Sequence, residues 1–151
     1  MTIVVVDTSV LLNILDVPGK NQQRDEVAKR LLELVKEPSI RLLLPLVAVV
    51  EAGNHIAQLP DGRVRRSRGE HLVALVHQAV DRKAPWALVP FPESDDLAKL
   101  TASLVDRLTE GVSFADASII AIWERQAKRW SKRRVYIWSF DRQLQAYDHR
   151  P

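Results

Sequence analysis

Apolar positions along this chain follow two rhythms, an unbroken β-branched one and a helical one. Ile3-Val4-Val5-Val6 is a continuous run of the kind found in strands buried on both faces of a parallel sheet. Asp7-Thr8-Ser9 then opens a helical stretch, Val10 to Leu15, which Asp16 and Pro18-Gly19 end. From Arg24 to Val35 the residues Val27, Leu31, Leu34 and Val35 recur at helical spacing, and Pro38-Ser39 introduces the run Ile40 to Leu44, a second strand. Pro45 suits the first turn of a helix that carries through Val49, Val50 and Glu51 to about Gln58, where Pro60-Asp61-Gly62 breaks it.

Farther on, the pattern predicts a helix from about Glu70 to Asp81, a short strand near Ala87 to Val89, and a helix from about Ser94 to Leu108 with Ser94 as its N-cap. Ser113 is placed to cap a helix from Phe114 to about Lys128, and Val135 to Trp138 reads as the last strand. Helices alternating with short β-branched runs predict an α/β class with a parallel sheet covered on both sides. A length of 151 residues fits one domain, 1–151, with enough chain to bury a core, and no repeat, low-complexity tract or long linker divides it.

Composition narrows the chemistry. The chain has no cysteine, which excludes disulfides, thiolate metal sites and a cysteine nucleophile, and leaves oxygen or imidazole as the only metal donors. The opening apolar run is interrupted by Asp7 and has no basic region before it, so it reads as neither signal peptide nor membrane span; the expected location is the cytoplasm. The net charge of +3 favours a polyanionic partner, because clustered Lys and Arg attract phosphate and release counterions.

Four carboxylates stand out against that basic body. Asp7 directly follows the first strand, and Asp141 follows the last within Ser139-Phe140-Asp141. Ligands of open parallel sheets bind beyond the carboxyl ends of the strands, so both acids point to one edge. Glu51, in the second turn of the helix after strand two, and Asp116, in the first turn of the helix opened by Ser113, are expected near the same edge. Four carboxylates gathered there repel one another unless a cation neutralises them, and a hard divalent ion with oxygen ligands resolves the conflict.

The motifs Val4-Val5-Val6-Asp7-Thr8-Ser9, Pro45 to Glu51 on a helix, Ser113-Phe114-Ala115-Asp116-Ala117, and Ser139-Phe140-Asp141 together resemble the PIN domain. The resemblance covers nearly the whole chain in the right order and implies a three-layer α/β/α fold with a central parallel β-sheet. It implies that Asp7, Glu51, Asp116 and Asp141 are catalytic and hold one or two Mg²⁺ or Mn²⁺ ions. It also suggests Thr8, Ser9, Ser113 and Ser139 as hydroxyls that orient the carboxylates or reach the ion through water. The small size is similar to that of VapC toxins, which implies an RNA substrate, a cognate antitoxin protein and a homodimer. The helices around Val47 to Ile56 and Leu72 to Val80 offer apolar surface for the antitoxin or a second copy.

Plainer readings exist for several of these residues. Asp7 also suits the cap of the following helix, and Ser113 with Asp116 has capping-box spacing, neither of which conflicts with metal binding. Glu51 is harder to explain without function, since it follows Val47, Val49 and Val50 in an apolar helix. His55 lies one helical turn beyond Glu51 and is a conceivable further ligand, though a surface histidine is the plainer reading. Arg63, Arg65, Arg66 and Arg68 follow the Glu51 helix in an expected loop and are candidate RNA contacts. Lys128, Arg129, Lys132, Arg133 and Arg134 belong at the opposite end of the sheet. Trp86, Trp123 and Trp138 read as core.

Other functions compete poorly. A dehalogenase-like phosphatase needs a second Asp two residues after the first, where Ser9 stands, and a receiver domain needs a lysine near Ser139 that is absent. A structure-specific DNA nuclease and a non-catalytic PIN-fold binding module remain as alternatives to a metal-dependent endoribonuclease.

Overall fold

The central strands find their place through burial. In the computed structural model, which describes residues 1–151, β1 (Thr2–Val6) lies at the centre of one sheet flanked by β2 (Ile40–Pro45) and β4 (Arg134–Trp138). The order is β3-β2-β1-β4-β5, with β3 (Trp86–Val89) at one edge and β5 (Asp148–His149) at the other. Val4 sits opposite Leu42 on one side and Tyr136 on the other, in parallel register. Successive side chains of a strand face opposite sides of a sheet, so complete burial of Ile3, Val4, Val5 and Val6 requires helices over both faces. The expected α/β architecture with a helix-covered central sheet is therefore present.

The helices are α1 (Thr8–Ile14), α2 (Arg24–Lys36), α3 (Leu46–Ala57), α4 (Gly62–Val80), α5 (Ser94–Ala102), α6 (Leu104–Thr109), α7 (Phe114–Arg129) and α8 (Arg142–Gln145). The core joins β1 to Leu11 and Leu15 of the α1 segment, Val27 and Leu34 of α2, Ala48, Ala52 and Ile56 of α3, and Ile119 and Ile122 of α7. Helices α1, α2, α3 and α7 thus offer apolar stripes to the core, whereas α5 and α6 bury no residue.

Four details depart from expectation. The sheet is mostly but not wholly parallel, because β5 pairs with β4 antiparallel. Helix α4 begins at Gly62 rather than near Glu70; Asp61 caps it, accepting from the backbone N–H groups of Arg63 and Val64 at 2.8 and 3.2 Å. The Arg63 to Arg68 cluster is therefore helical, and the expected loop does not exist. The helix from Ser94 is broken at Ser103 into α5 and α6, and Glu93, not Ser94, occupies the N-cap position. Trp86 is buried as expected, while Trp123 and Trp138 are half-buried, and the Trp123 indole donates to the Val135 carbonyl at 2.9 Å. No helix is long and apolar enough to cross a membrane.

Candidate active site

The parallel strands deliver their carboxyl ends to one edge, and the site is built there from the chain's own turns. Asp7 ends β1: its backbone N–H extends the ladder to the Trp138 carbonyl at 3.1 Å, while its side chain caps α1. The carboxylate is almost completely buried, and a buried charge needs donors. It has three on a single oxygen. Oδ2 accepts from the Ser9 hydroxyl and the Ser139 hydroxyl, each at 2.7 Å, and from the Ser9 backbone N–H at 3.3 Å. The two seryl oxygens in turn accept from the backbone N–H groups of Phe140 at 3.1 Å and Asp141 at 3.0 Å. Those backbone donors leave each hydroxyl hydrogen free to point at Asp7. Oδ1 receives no hydrogen bond from the protein.

Glu51 reaches the same edge from α3. Ala48, Ala52 and Ile56 pack the buried stripe of that helix, and Glu51 with His55 occupies the adjoining face. Thr8 ties the two elements together, its hydroxyl donating to Glu51 Oε2 at 3.1 Å. Asp116 stands in the first turn of α7 between the buried Ala115 and Ala117, and Ser113 caps that turn by accepting from the Asp116 N–H at 3.1 Å. Asp141 follows β4, is exposed, and caps α8 through Oδ1, which accepts from the Gln143 N–H at 2.9 Å.

One cavity of about 280 Å³ brings Asp7, Glu51, Asp116 and Asp141 together, with Thr8, Ser9 and His55 also in its wall. Desolvation, reinforced by repulsion from Asp7, Glu51 and Asp141, pushes the Asp116 carboxyl up to about 6. No three of these side chains close into a preformed chelate, yet they lie near enough to repel. That combination fits a hard divalent ion that keeps several of its waters, such as Mg²⁺ or Mn²⁺. Asp7 through its free oxygen, Glu51, Asp116 and Asp141 are the groups that would hold it.

Not every predicted residue is here. Ser139 lies behind Asp7 rather than in the cavity wall, and Ser113 serves as a helix cap outside it. None of Arg63, Arg65, Arg66 and Arg68 lines the cavity. Arg68 instead donates to the Leu15 carbonyl at 3.1 Å and pairs with Asp16 at 3.7 Å, while Arg66 pairs with Glu70 along α4. Conversely, Asn13, Lys20, Gln22, Gln23 and Phe140 line the cavity without having been anticipated. Asn13 is buried; its amide donates to the Ser9 carbonyl at 2.8 Å and its oxygen accepts from the Gln23 N–H at 3.0 Å, pinning the start of α2 to α1. Its one sequence signal is a position four residues after Ser9 on the same helix.

No curated protein matches the sequence. Among solved structures the fold is similar to FitAcB from Neisseria gonorrhoeae, at 21% identity and TM-score 0.58 over 95% of this chain and 91% of that one. It is similar also to FitAB bound to an IR36 DNA fragment, at 22% identity and TM-score 0.58 over 95% and 89%. The PIN domain family model matches residues 4–149. Nearly the full length of the chain thus matches a domain that is generally a nuclease and typically uses divalent metal ions, and the chain belongs to the PIN domain family.

Proposed function

We propose that this chain is a metal-dependent endoribonuclease and the toxin component of a toxin–antitoxin pair. The observation that carries the reading is the meeting of four carboxylates, from four separate elements, in one cavity of a PIN fold. A divalent ion held by these four acids would supply a lowered pKa of bound water and neutralisation of charge on the phosphate under attack. The protein's own part is positional. Ser9 and Ser139 hold one oxygen of Asp7 and leave the other without a donor from the protein, and Thr8 fixes Glu51. Asp116, whose carboxyl is pushed up to about 6 by burial and by the neighbouring acids, is ionised more readily once a cation sits beside it.

The toxin reading is supported by the likeness to the FitAB structures, whose two-component name accompanies a fold shared over most of this chain. An apolar groove of about 260 Å³, lined by Leu46, Val47, Phe91, Leu97 and Phe114, supports a protein partner, either an antitoxin segment or a second copy. A basic segment of such a partner that reached the acids would pair favourably with them.

The test is incubation of purified protein with defined RNAs, single-stranded DNA and duplex DNA, with Mg²⁺ or Mn²⁺ and with chelator. Cutting of RNA that chelation abolishes and added metal restores is the expected result. Preference for DNA junctions points to the structure-specific DNA nuclease, and binding without cleavage points to a non-catalytic module. Growth arrest on expression, relieved by a small protein encoded beside the gene, is expected for the toxin role; neither effect occurring overturns that role.

A further inference from the structure

Asp116 stands in the wall between two cavities. One holds the other three acids; the second, about 330 Å³, lies among α6, α7 and the segment from α8 to β5 and is lined in part by Arg107, Val112, Ile120, Gln143, Leu144 and Tyr147. Its chemistry differs sharply from the first. Leu144, Val112 and Ile120 give an apolar floor, and the Tyr147 ring is held edge-on to Trp123 with centroids 5.1 Å apart. The Gln143 carboxamide, beside the acids' edge, makes no hydrogen bond within the protein and can donate and accept at once.

Arg107 is the cation of this cavity. It donates to the Tyr147 hydroxyl at 3.1 Å and pairs with Glu124 at 3.6 Å, and Glu110 stands in the same wall. Beyond Arg107 and Ile120 opens a third cavity, whose wall carries Lys99, Arg125 and Lys128 against Asp96 and Glu124. In the second cavity Arg107 faces both Asp116 and Glu110, whereas in the third Arg107, Lys99, Arg125 and Lys128 stand against two carboxylates, so a path from the acids over Arg107 becomes more favourable to phosphate. An acidic centre repels the very backbone it cuts, and the attraction must come from beside it.

We propose that the cavity beyond Asp116 is a nucleotide subsite: it takes the base and sugar next to the scissile phosphate of a single-stranded RNA, with Gln143 on the base edge and Arg107 on the adjoining phosphate. The strand continues toward Lys99 and Lys128. This inference rests on the ribonuclease reading.

The experiment is steady-state cleavage of short fluorescent RNAs by the full chain and by Arg107→Gln, Arg107→Lys and Gln143→Ala, each checked for native circular dichroism. For Arg107→Gln, KM rises about tenfold, the weight of one charge-assisted hydrogen bond, while kcat changes less than about twofold. The salt dependence of kcat/KM loses about 0.7 in logarithmic slope, one phosphate contact of a single strand, and Arg107→Lys regains it. If the glutamine variant does not fold, the lysine and Gln143 variants carry the measurement. Gln143→Ala keeps the salt slope but changes preference for the base beside the cut. Parent KM, salt slope and base preference in the folded variants overturn the subsite alone. A parent chain that cuts no RNA overturns the ribonuclease reading with it.

Discussion

Ser139 Oγ lies 2.7 Å from Asp7 Oδ2, so the end of β4 is fastened to the end of β1 through the very carboxylate that faces the cavity. Ser139→Ala removes one of three donors from a buried charge and leaves the Asp141 N–H without its acceptor. Loss of about 1 to 3 kcal/mol of stability is expected, together with a 10- to 100-fold drop in metal affinity or cleavage rate. Thermal unfolding and metal titration check the two effects separately; unchanged metal affinity in a folded variant contradicts the orienting role.

Thr8 offers a cleaner case. Its hydroxyl donates to Glu51 from a helix start that needs no help from the side chain, and Thr8→Val keeps the shape. Metal affinity is expected to fall about tenfold while the far-ultraviolet spectrum stays the same. Calorimetric titration with Mn²⁺ gives the comparison.

Asp116 sets a pH dependence of known sign. Its pKa in the folded chain, about 6, stands above the ordinary value of 3.8, so ionising it opposes folding. In metal-free buffer this contribution to stability is fully present below pH 4 and is lost as pH rises through about 6. Asp116→Asn should therefore stabilise the metal-free protein at pH 8 by on the order of 1 kcal/mol, after allowing for solvent screening of a half-exposed group, and by almost nothing at pH 4. Denaturant unfolding at the two pH values measures it. The same variant is expected to cut no RNA, with metal present, at any pH.

Arg68 and its neighbours on α4 separate structure from binding. Arg68→Ala breaks the contacts to Leu15 and Asp16 that hold α4 against the end of α1, and costs about 1 to 2 kcal/mol. Arg66→Ala removes an exposed pair with Glu70 and changes stability by less than about 0.5 kcal/mol. Equal unfolding midpoints for the two variants contradict this assignment.

What the sequence made legible was local. Ile3 to Val6 and Asp7 stand side by side in the chain, and a buried parallel strand ending in an acid reads directly. Glu51 and Asp116 followed because each sits within two turns of a helix start. Helix α4 was misjudged because Arg63, Arg65, Arg66, Ser67 and Arg68 present only Val64 before Leu72, and an exposed helical turn has no apolar rhythm to reveal it. Asp61-Gly62 reads as a breaker, though the same Asp is a helix cap. Asn13 bonds to Ser9 and Gln23, four and ten residues away, but an Asn inside a short helix looks the same in sequence whether it cross-links or faces water, and the two-residue β5 is too short to show an alternating pattern. The acidic cavity was legible in its corners and not in the cross-links that set its shape.

The hydroxyl that completes Asp7 is attached 132 residues farther along the chain. During synthesis Asp7 and Glu51 are made well before β4, and at roughly 5 to 20 residues per second the interval of 132 residues between Asp7 and Ser139 lasts on the order of ten seconds. Throughout it β1 lacks its parallel neighbour β4 and Asp7 lacks the donor it shares with the far end of the sheet. On the proposed ribonuclease reading, a cutting centre assembled this way stays unfinished while the chain between Asp7 and Ser139 is being made by a machine built largely of RNA, and it becomes competent only after the last parallel strand has docked.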